Sequence, residues 1–174
     1  NALGVDAVDG TLYLTLGDDG GGSVAAFDPD GRAELWRTTL AAGPTTGGTT
    51  DSQPIARGQW GVTVTAETVY AVAGRVAGRQ WSAVSALDRA TGEVRWRHRE
   101  ERALSVVGVD DGLAVVTATQ FSPPAGTPAT THAHDTPDEP PSTAVTGLGP
   151  DGAVRWRREF ESVTDAALGP DGVS

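Results

Sequence analysis

The chain lacks three residue types on which much protein chemistry depends. Its 174 residues contain no cysteine and no methionine, and all 13 of its Lys and Arg residues are arginine. Without cysteine the chain can form no disulfide, no thiolate zinc site and no thiol nucleophile. Without lysine it has neither a phosphate-binding loop ending in Gly-Lys nor a Schiff-base lysine. Residue types alone therefore exclude most nucleotide chemistry.

Positive charge and long apolar runs are also scarce. The formal net charge is -10, and the pI is about 4.6. An acidic chain is a poor match for nucleic acid or for an anionic membrane surface. The longest mostly apolar stretch runs from Leu113 to Ala118, which is too short to span a bilayer. We expect no nucleic-acid partner and no membrane insertion by this segment.

The most informative pattern is an internal repeat marked by tryptophan. Trp36, Trp96 and Trp156 are spaced 60 residues apart in both intervals. Each lies in the second strand of a predicted β-hairpin, in which alternating apolar strands flank a turn of Asp, Pro, Thr or Gly residues. Another predicted strand pair precedes each hairpin. Tandem units of four short antiparallel strands, none able to bury both faces alone, are typical of β-propeller blades.

The sequence therefore predicts an all-β fold, a partial β-propeller of four-stranded antiparallel blades with about three and a half blades present. The predicted order is a blade at 1–41, a polar insertion at 42–58, a blade at 59–102, a blade at 103–160 with an insertion at 120–142, and the start of a further blade at 161–174. The first insertion is rich in Gly, Thr and Pro, and the second contains six prolines, which is typical of exposed loops. Because 171–174 read as a turn entering a strand, we expect a fragment of a longer protein.

The hairpin at 86–96 reads ALDRATGEVRW. It resembles the tryptophan-docking repeat of the quinoprotein-type (PQQ-like) propellers, whose pattern is Ala, any residue, Asp, two residues, Thr-Gly, three residues and Trp. The first unit departs from it with Pro-Asp-Gly at 29–31, and the third has Gly149 in place of the Asp. The resemblance implies that each indole docks against the neighbouring blade. The predicted docking and turn residues are Trp36, Trp96, Trp156, Asp88, Thr91 and Gly92.

Alternation along the last predicted strand of the second unit separates two kinds of side chain. Trp96 points to one side with its apolar neighbours, whereas Arg95, Arg97 and Arg99 point to the other. We expect this arginine row to be a solvated outer edge that discourages edge-to-edge strand pairing.

Three residues of metal-binding types lie close together in the sequence, namely His132, His134 and Asp135. Two histidines one residue apart and an adjacent carboxylate are suitable ligand types. They lie inside the Pro- and Thr-rich insertion, whereas a metal site needs rigid ligands and supporting hydrogen bonds. They are therefore weak candidates, and we predict no metal site, no catalytic residue and no bound cofactor.

Three functions remain open. The leading hypothesis is a non-enzymatic propeller that serves as a protein-recognition or scaffold module, through its blade loops, in a secreted, periplasmic or cell-surface bacterial protein. The resemblance to non-catalytic members, such as the propeller lipoprotein of the outer-membrane barrel-assembly machine, favours it. The first alternative is a fragment of a quinone-cofactor (PQQ) dependent dehydrogenase. The second is an assembly component whose partial wheels pair between chains, as a homo-oligomer that covers open blade edges.

Overall fold

A computed structural model of the chain consists of β-strands and the turns that join them. It describes residues 2–18, 21–30, 32–40, 61–75, 81–110, 113–119, 143–161, 168–169 and 172–173. None of these residues is helical. The described part of the chain accordingly offers no helix of the length and apolarity that crossing a membrane requires.

The strands form three four-stranded antiparallel sheets, each paired in chain order. The first sheet contains β1 (Ala2–Val8), β2 (Thr11–Asp18), β3 (Gly21–Phe27) and β4 (Glu34–Leu40). The second contains β5 (Gly61–Val64), β6 (Thr68–Arg75), β7 (Trp81–Asp88) and β8 (Val94–Glu100). The third contains β9 (Ala103–Asp110), β10 (Leu113–Thr119), β11 (Thr143–Leu148) and β12 (Val154–Phe160). A short fourth sheet pairs β13 (Leu168–Gly169) with β14 (Gly172–Val173).

The sheets are arranged as the blades of a propeller. Their first strands follow one another along the inner side, since β1 contacts β5 and β5 contacts β9. The backbones of β1 and β5 come close at Gly4, where an added Cβ would lie 3.2 Å from the Cα of Gly61. The last strands, β4, β8 and β12, form the outer edges. The structure thus confirms the predicted all-β partial β-propeller of four-stranded antiparallel blades.

The apolar core lies between the blades. Side chains alternate along a strand, so the two faces of β6 serve two different cores. Val69 and Ala71 pack toward the first blade, whereas Tyr70 and Val72 pack toward the third. All residues from 68 to 73 are buried. The middle blade is therefore covered on both faces, which is why β6 is buried continuously over these residues.

The connections between strands divide between two faces of the propeller, because successive strands run in opposite directions. The short turns at 9–10, 28–33, 65–67, 89–93 and 149–153 lie on one face, which we call the hairpin face. The strand ends that flank segments 41–60 and 120–142 lie on the opposite face, which we call the loop face. Both of those segments fall outside the described residues.

Candidate functional site

The indole of Trp36, on the outermost strand of the first blade, lies against the last hairpin turn of the second blade. Its Nε1–H donates to the main-chain oxygen of Arg89 at 3.0 Å. Two residues on, the hydroxyl of Thr38 donates to the main-chain oxygen of Gly92 at 2.6 Å. Gly92 has a φ of +73°, and a Cβ there would lie 2.6 Å from the indole Cδ2. Only glycine combines this backbone conformation with this approach.

The turn that receives Trp36 is shaped by Asp88. Its Oδ1 accepts the backbone N–H groups of Ala90 and Thr91, both at 2.9 Å, as aspartate does in many turns. Arg95 donates to Oδ2 at 2.8 Å. That hydrogen bond and the bond from Thr91 lower the pKa of Asp88 to about 2. The turn therefore keeps its charged cap over the whole physiological range of pH.

The junction between the second and third blades has the same arrangement. The ring of Trp96 lies over Gly152, whose φ is +78° and whose added Cβ would be 2.8 Å from the indole Cδ2. Trp156 lies over Gly147 of its own blade, and most of the residues after 161 fall outside the described residues. The structure thus brings the predicted turn residue Gly92 to Trp36, in a turn that Asp88 and Thr91 shape. That these indoles act as docking residues stays a prediction.

Each of the first two indoles also contacts a tyrosine of its own blade. The rings of Tyr13 and Trp36 have centroids 6.1 Å apart, and those of Tyr70 and Trp96 are 5.9 Å apart. Both pairs are tilted, an arrangement that aromatic rings favour over face-to-face stacking. An aromatic row therefore runs from the second strand of the blade to its outer edge.

Arg89 holds the junction from the other side, and sequence reasoning missed it. Its Nε donates to the hydroxyl of Tyr13 at 2.9 Å. Nη2 donates to Val8 O at 3.3 Å and to a carboxylate oxygen of Asp9 at 2.8 Å, and Nη1 donates to Ala66 O at 3.1 Å. The side chain is only 17% exposed. An arginine in a polar turn gives no local signal of contacts with the first blade.

The arginine row on the outer strands is exposed, as predicted, and it also contributes to the junctions. Arg97 donates to Thr39 O of the first blade at 3.4 Å. Arg157, at the equivalent position of the third blade, donates to Glu100 Oε1 of the second at 2.6 Å. This face of the strand meets the preceding blade, whereas the Trp96 face of β8 meets the turn of the following blade. The arginines therefore serve the interface between blades as well as the solvated edge.

Glu100 forms a small charged network at the second junction. Its Oε1 lies 3.2 Å from Nε2 of His98, and the Glu100 side chain is 11% exposed. The hydrogen bond from His98, and after it that from Arg157, lowers the pKa of the Glu100 carboxyl. Among the described residues no group of three or more His, Asp or Glu side chains is placed to hold a metal. The predicted weak metal candidates, His132, His134 and Asp135, lie outside those residues.

A cleft of about 490 Å³ opens on the hairpin face between the first two blades. Trp36 and Leu35 line one wall, and the Leu35 side chain is exposed. Arg89 and Arg95 line the other wall, but their charges are already paired with carboxylates of the protein. The cleft therefore offers apolar surface beside hydrogen-bonding groups.

Fold and junctions together define the chain as a partial β-propeller. Residues 20–159 match the family of PQQ-like repeats that is described as outer membrane protein assembly factor BamB. The match covers most of the chain, which belongs to this family. The resemblance to PQQ-like propellers seen in the sequence is thereby confirmed. No curated protein matches the chain.

Proposed function

We propose that this chain is a non-enzymatic protein-recognition or scaffold module of the bacterial cell envelope. The observation that carries the proposal is the family match over residues 20–159, because the description of that family names an outer membrane protein assembly factor. An assembly factor works by contact with other proteins, and propellers offer large faces for such contacts. The proposal places the chain outside the cytoplasm, in keeping with the same description.

The blade junctions support this function by making the propeller a rigid support. In the proposal the indoles of Trp36, Trp96 and Trp156 are docking residues that hold each blade to the next. Trp36 has both a hydrogen bond and ring contact with the following turn, and Trp96 has the ring contact. A rigid scaffold that carries variable loops is the usual way in which proteins present recognition surfaces.

The partner-binding surface in this proposal is the loop face. The strand ends that flank segments 42–58 and 120–142 converge there. The two segments are the longest connections between the described strands, and both are rich in Pro and Thr. Loops of this length between short strands are seldom needed to close a blade, so their length favours a role in binding.

Site-specific cross-linking tests the proposal, since a chain without cysteine allows single-cysteine labelling. Thr119→Cys places a photo-cross-linker at the loop-face end of β10, and Ala153→Cys places the same reagent on the hairpin face as a matched control. Both residues are exposed. In envelope preparations we expect a discrete protein adduct from Thr119→Cys and much less from Ala153→Cys.

A second variant separates the loop from the strand end. Replacement of 121–141 by a short Gly-Ser linker is expected to abolish the Thr119→Cys adduct and to leave the melting temperature unchanged. Equal adducts from both cysteine variants, or an adduct that survives loop replacement, would contradict the assignment of the loop face.

A further inference from the structure

Each blade has one extra residue in its last strand, immediately before the tryptophan. The pairing register with the preceding strand skips this residue, which is Leu35, Arg95 or Arg155. An extra residue of this kind is a β-bulge, and a bulge turns its side chain away from the regular alternation. The three side chains therefore start from equivalent positions of the three blades.

In the second blade the bulge residue fills a site built for a guanidinium. Arg95 donates from Nη1 to Thr68 Oγ1 at 2.9 Å and from Nη2 to Asp88 Oδ2 at 2.8 Å. Thr68 and Asp88 stand opposite each other on β6 and β7. In the third blade the bulge residue again pairs with a turn carboxylate, since Arg155 donates to Asp151 at 2.9 Å.

The first blade repeats the two acceptors without the arginine. The register pairs Leu12 of β2 with Phe27 of β3, so the preceding residue, Thr11, lies opposite Asp28. Thr68 lies opposite Asp88 in the same way. The hairpins close alike, because Asp28 N donates to the main-chain oxygen of residue 33 at 3.0 Å and Asp88 N to that of residue 93 at 2.8 Å. The bulge residue here is Leu35, which is 56% exposed.

No arginine side chain among the described residues donates to Thr11 or Asp28. The backbone N–H of Arg32 caps Asp28 Oδ1 at 2.7 Å, and this hydrogen bond holds the carboxylate in its turn. The acceptors that bind Arg95 in the second blade are therefore present in the first blade beside an apolar bulge residue that cannot use them.

The space beside Thr11 is open, and Asp28 lies next to that space because it is opposite Thr11 in the register. Thr11, Leu35 and Glu67 line the cleft of about 490 Å³, and Glu67 adds a carboxylate to its rim. Arg89 on the far wall is neutralised by Asp9 at 2.8 Å. The chain as a whole is acidic, with a formal net charge of -10. Arg95, which also lines the cleft, is paired with Asp88 at 2.8 Å. A cationic side chain that enters the cleft therefore meets acceptors that no arginine side chain among the described residues fills.

We propose that this cleft binds an arginine side chain supplied by a partner protein. Its guanidinium takes the place that Arg95 has in the second blade, on Thr11 and Asp28, and its aliphatic stem lies along Leu35. The planar fork of arginine can donate to a carboxylate and a hydroxyl at once, and its stem packs on apolar surface. The site is on the hairpin face, so it goes beyond the proposed loop-face function and can be tested separately.

Short peptides test the proposal on the intact protein. The probe is the acetylated and amidated peptide Ala-Leu-Arg-Ala, and its binding is followed by NMR at the indole N–H of Trp36 and the amide of Leu35. The matched control replaces arginine by citrulline, which keeps the shape and loses the charge. We expect the citrulline peptide to bind about tenfold more weakly or worse. A lysine peptide is expected to be intermediate, because it has charge without the fork.

Two variants locate the binding. Leu35→Arg supplies the missing arginine from within and is expected to abolish peptide binding, whereas Leu35→Gln, of similar length without a guanidinium, retains it. Asp28→Asn keeps the turn acceptor, removes the charge and is expected to weaken binding about tenfold. No binding at about 1 mM peptide, equal binding of the citrulline peptide, or unchanged binding by Leu35→Arg would each overturn the proposal. Loss of loop-face cross-linking alone would leave it standing.

The source of the arginine is tested by sedimentation of the intact protein. We expect the Leu35→Arg substitution to leave the oligomeric state of the protein unchanged. If Leu35→Arg converted a dimer to a monomer, the arginine would come from a second copy of this chain, and its assignment to a different protein would be wrong.

Discussion

Trp36 of the first blade and Arg89 of the second blade each donate hydrogen bonds to the other's blade. The indole of Trp36 donates to the main-chain oxygen of Arg89 at 3.0 Å, while the guanidinium of Arg89 returns to the first blade and donates to Tyr13 and Asp9. One residue reaches forward along the chain and the other reaches back. The contact spans 53 residues of sequence, so it depends entirely on how the two blades are placed.

Gly92→Ala tests the fit of the turn to Trp36. The new Cβ would clash with the indole and would also require an alanine at a φ of +73°. We expect the free energy of unfolding, measured by urea denaturation, to fall by about 2–4 kcal/mol. Gly10→Ala is the matched control, since its φ is +79° but its Cβ would meet only the side chain of Pro29. A loss of about 1–2 kcal/mol is expected there, and equal losses would contradict a role for the indole contact.

Arg89→Gln removes the hydrogen bonds of the guanidinium with the first blade. Because the guanidinium has several acceptors on both sides of the junction, we expect the free energy of unfolding to fall. Asp9→Asn changes one partner that is 79% exposed, and we expect a loss below about 1 kcal/mol. Urea denaturation measures both. An Arg89→Gln effect as small as that of Asp9→Asn would show that the other acceptors contribute little.

Glu100→Gln tests the charged network of the second junction through its pH dependence. The pKa of Glu100 is lowered from 4.5 by His98 and Arg157. A lowered carboxyl pKa stabilises the fold above 4.5, and that stabilisation is lost as the pH falls through the lower, folded-state pKa. We therefore expect Glu100→Gln to cost about 1–2 kcal/mol near pH 7 and much less near pH 3. Glu93→Gln is the exposed control, and an effect independent of pH would contradict the mechanism.

Arg95→Gln tests the hydrogen bond that contributes most to the low pKa of Asp88. With Arg95 present that pKa is about 2. Without it, NMR titration of the carboxyl carbon is expected to give a pKa nearer the ordinary value of 3.8. Since this pKa is lowered, Asp88 stabilises the fold above pH 3.8 and loses that effect as the pH falls toward 2. Arg97→Gln, which leaves Asp88 untouched, should not move the pKa, and a shift there would indicate a general charge effect.

The sequence predicted the strands of each blade well, because each strand has a local signature. Alternation of apolar residues and Gly- or Asp-containing turns predicted units of four antiparallel strands, and the described residues form three such sheets. The equal spacing of the tryptophans predicted that the units would repeat. These features depend on neighbours within a few residues, which is the distance over which sequence patterns operate.

The site at the junction could be predicted only in part. Trp36 and Gly92 were both singled out, because a family pattern marks them, but neither residue indicates which atom of the next turn accepts the indole N–H. Arg89 and Leu35 were not singled out. Arg89 lies in an ordinary polar turn, and Leu35 is one of three apolar residues in β4. Their importance depends on residues far along the chain, which no local pattern encodes.

By itself the sequence determined the all-β class, the four-stranded unit and the repeat, since strand alternation and turn chemistry are local properties of the chain. Tertiary structure alone decided that Arg89 reaches back to Asp9 and that a cleft opens beside Leu35. These features arise where two blades meet, and the geometry of that meeting is set by the packing of side chains some 50 to 80 residues apart. Packing between distant segments, unlike alternation within a strand, leaves no periodic trace in the sequence.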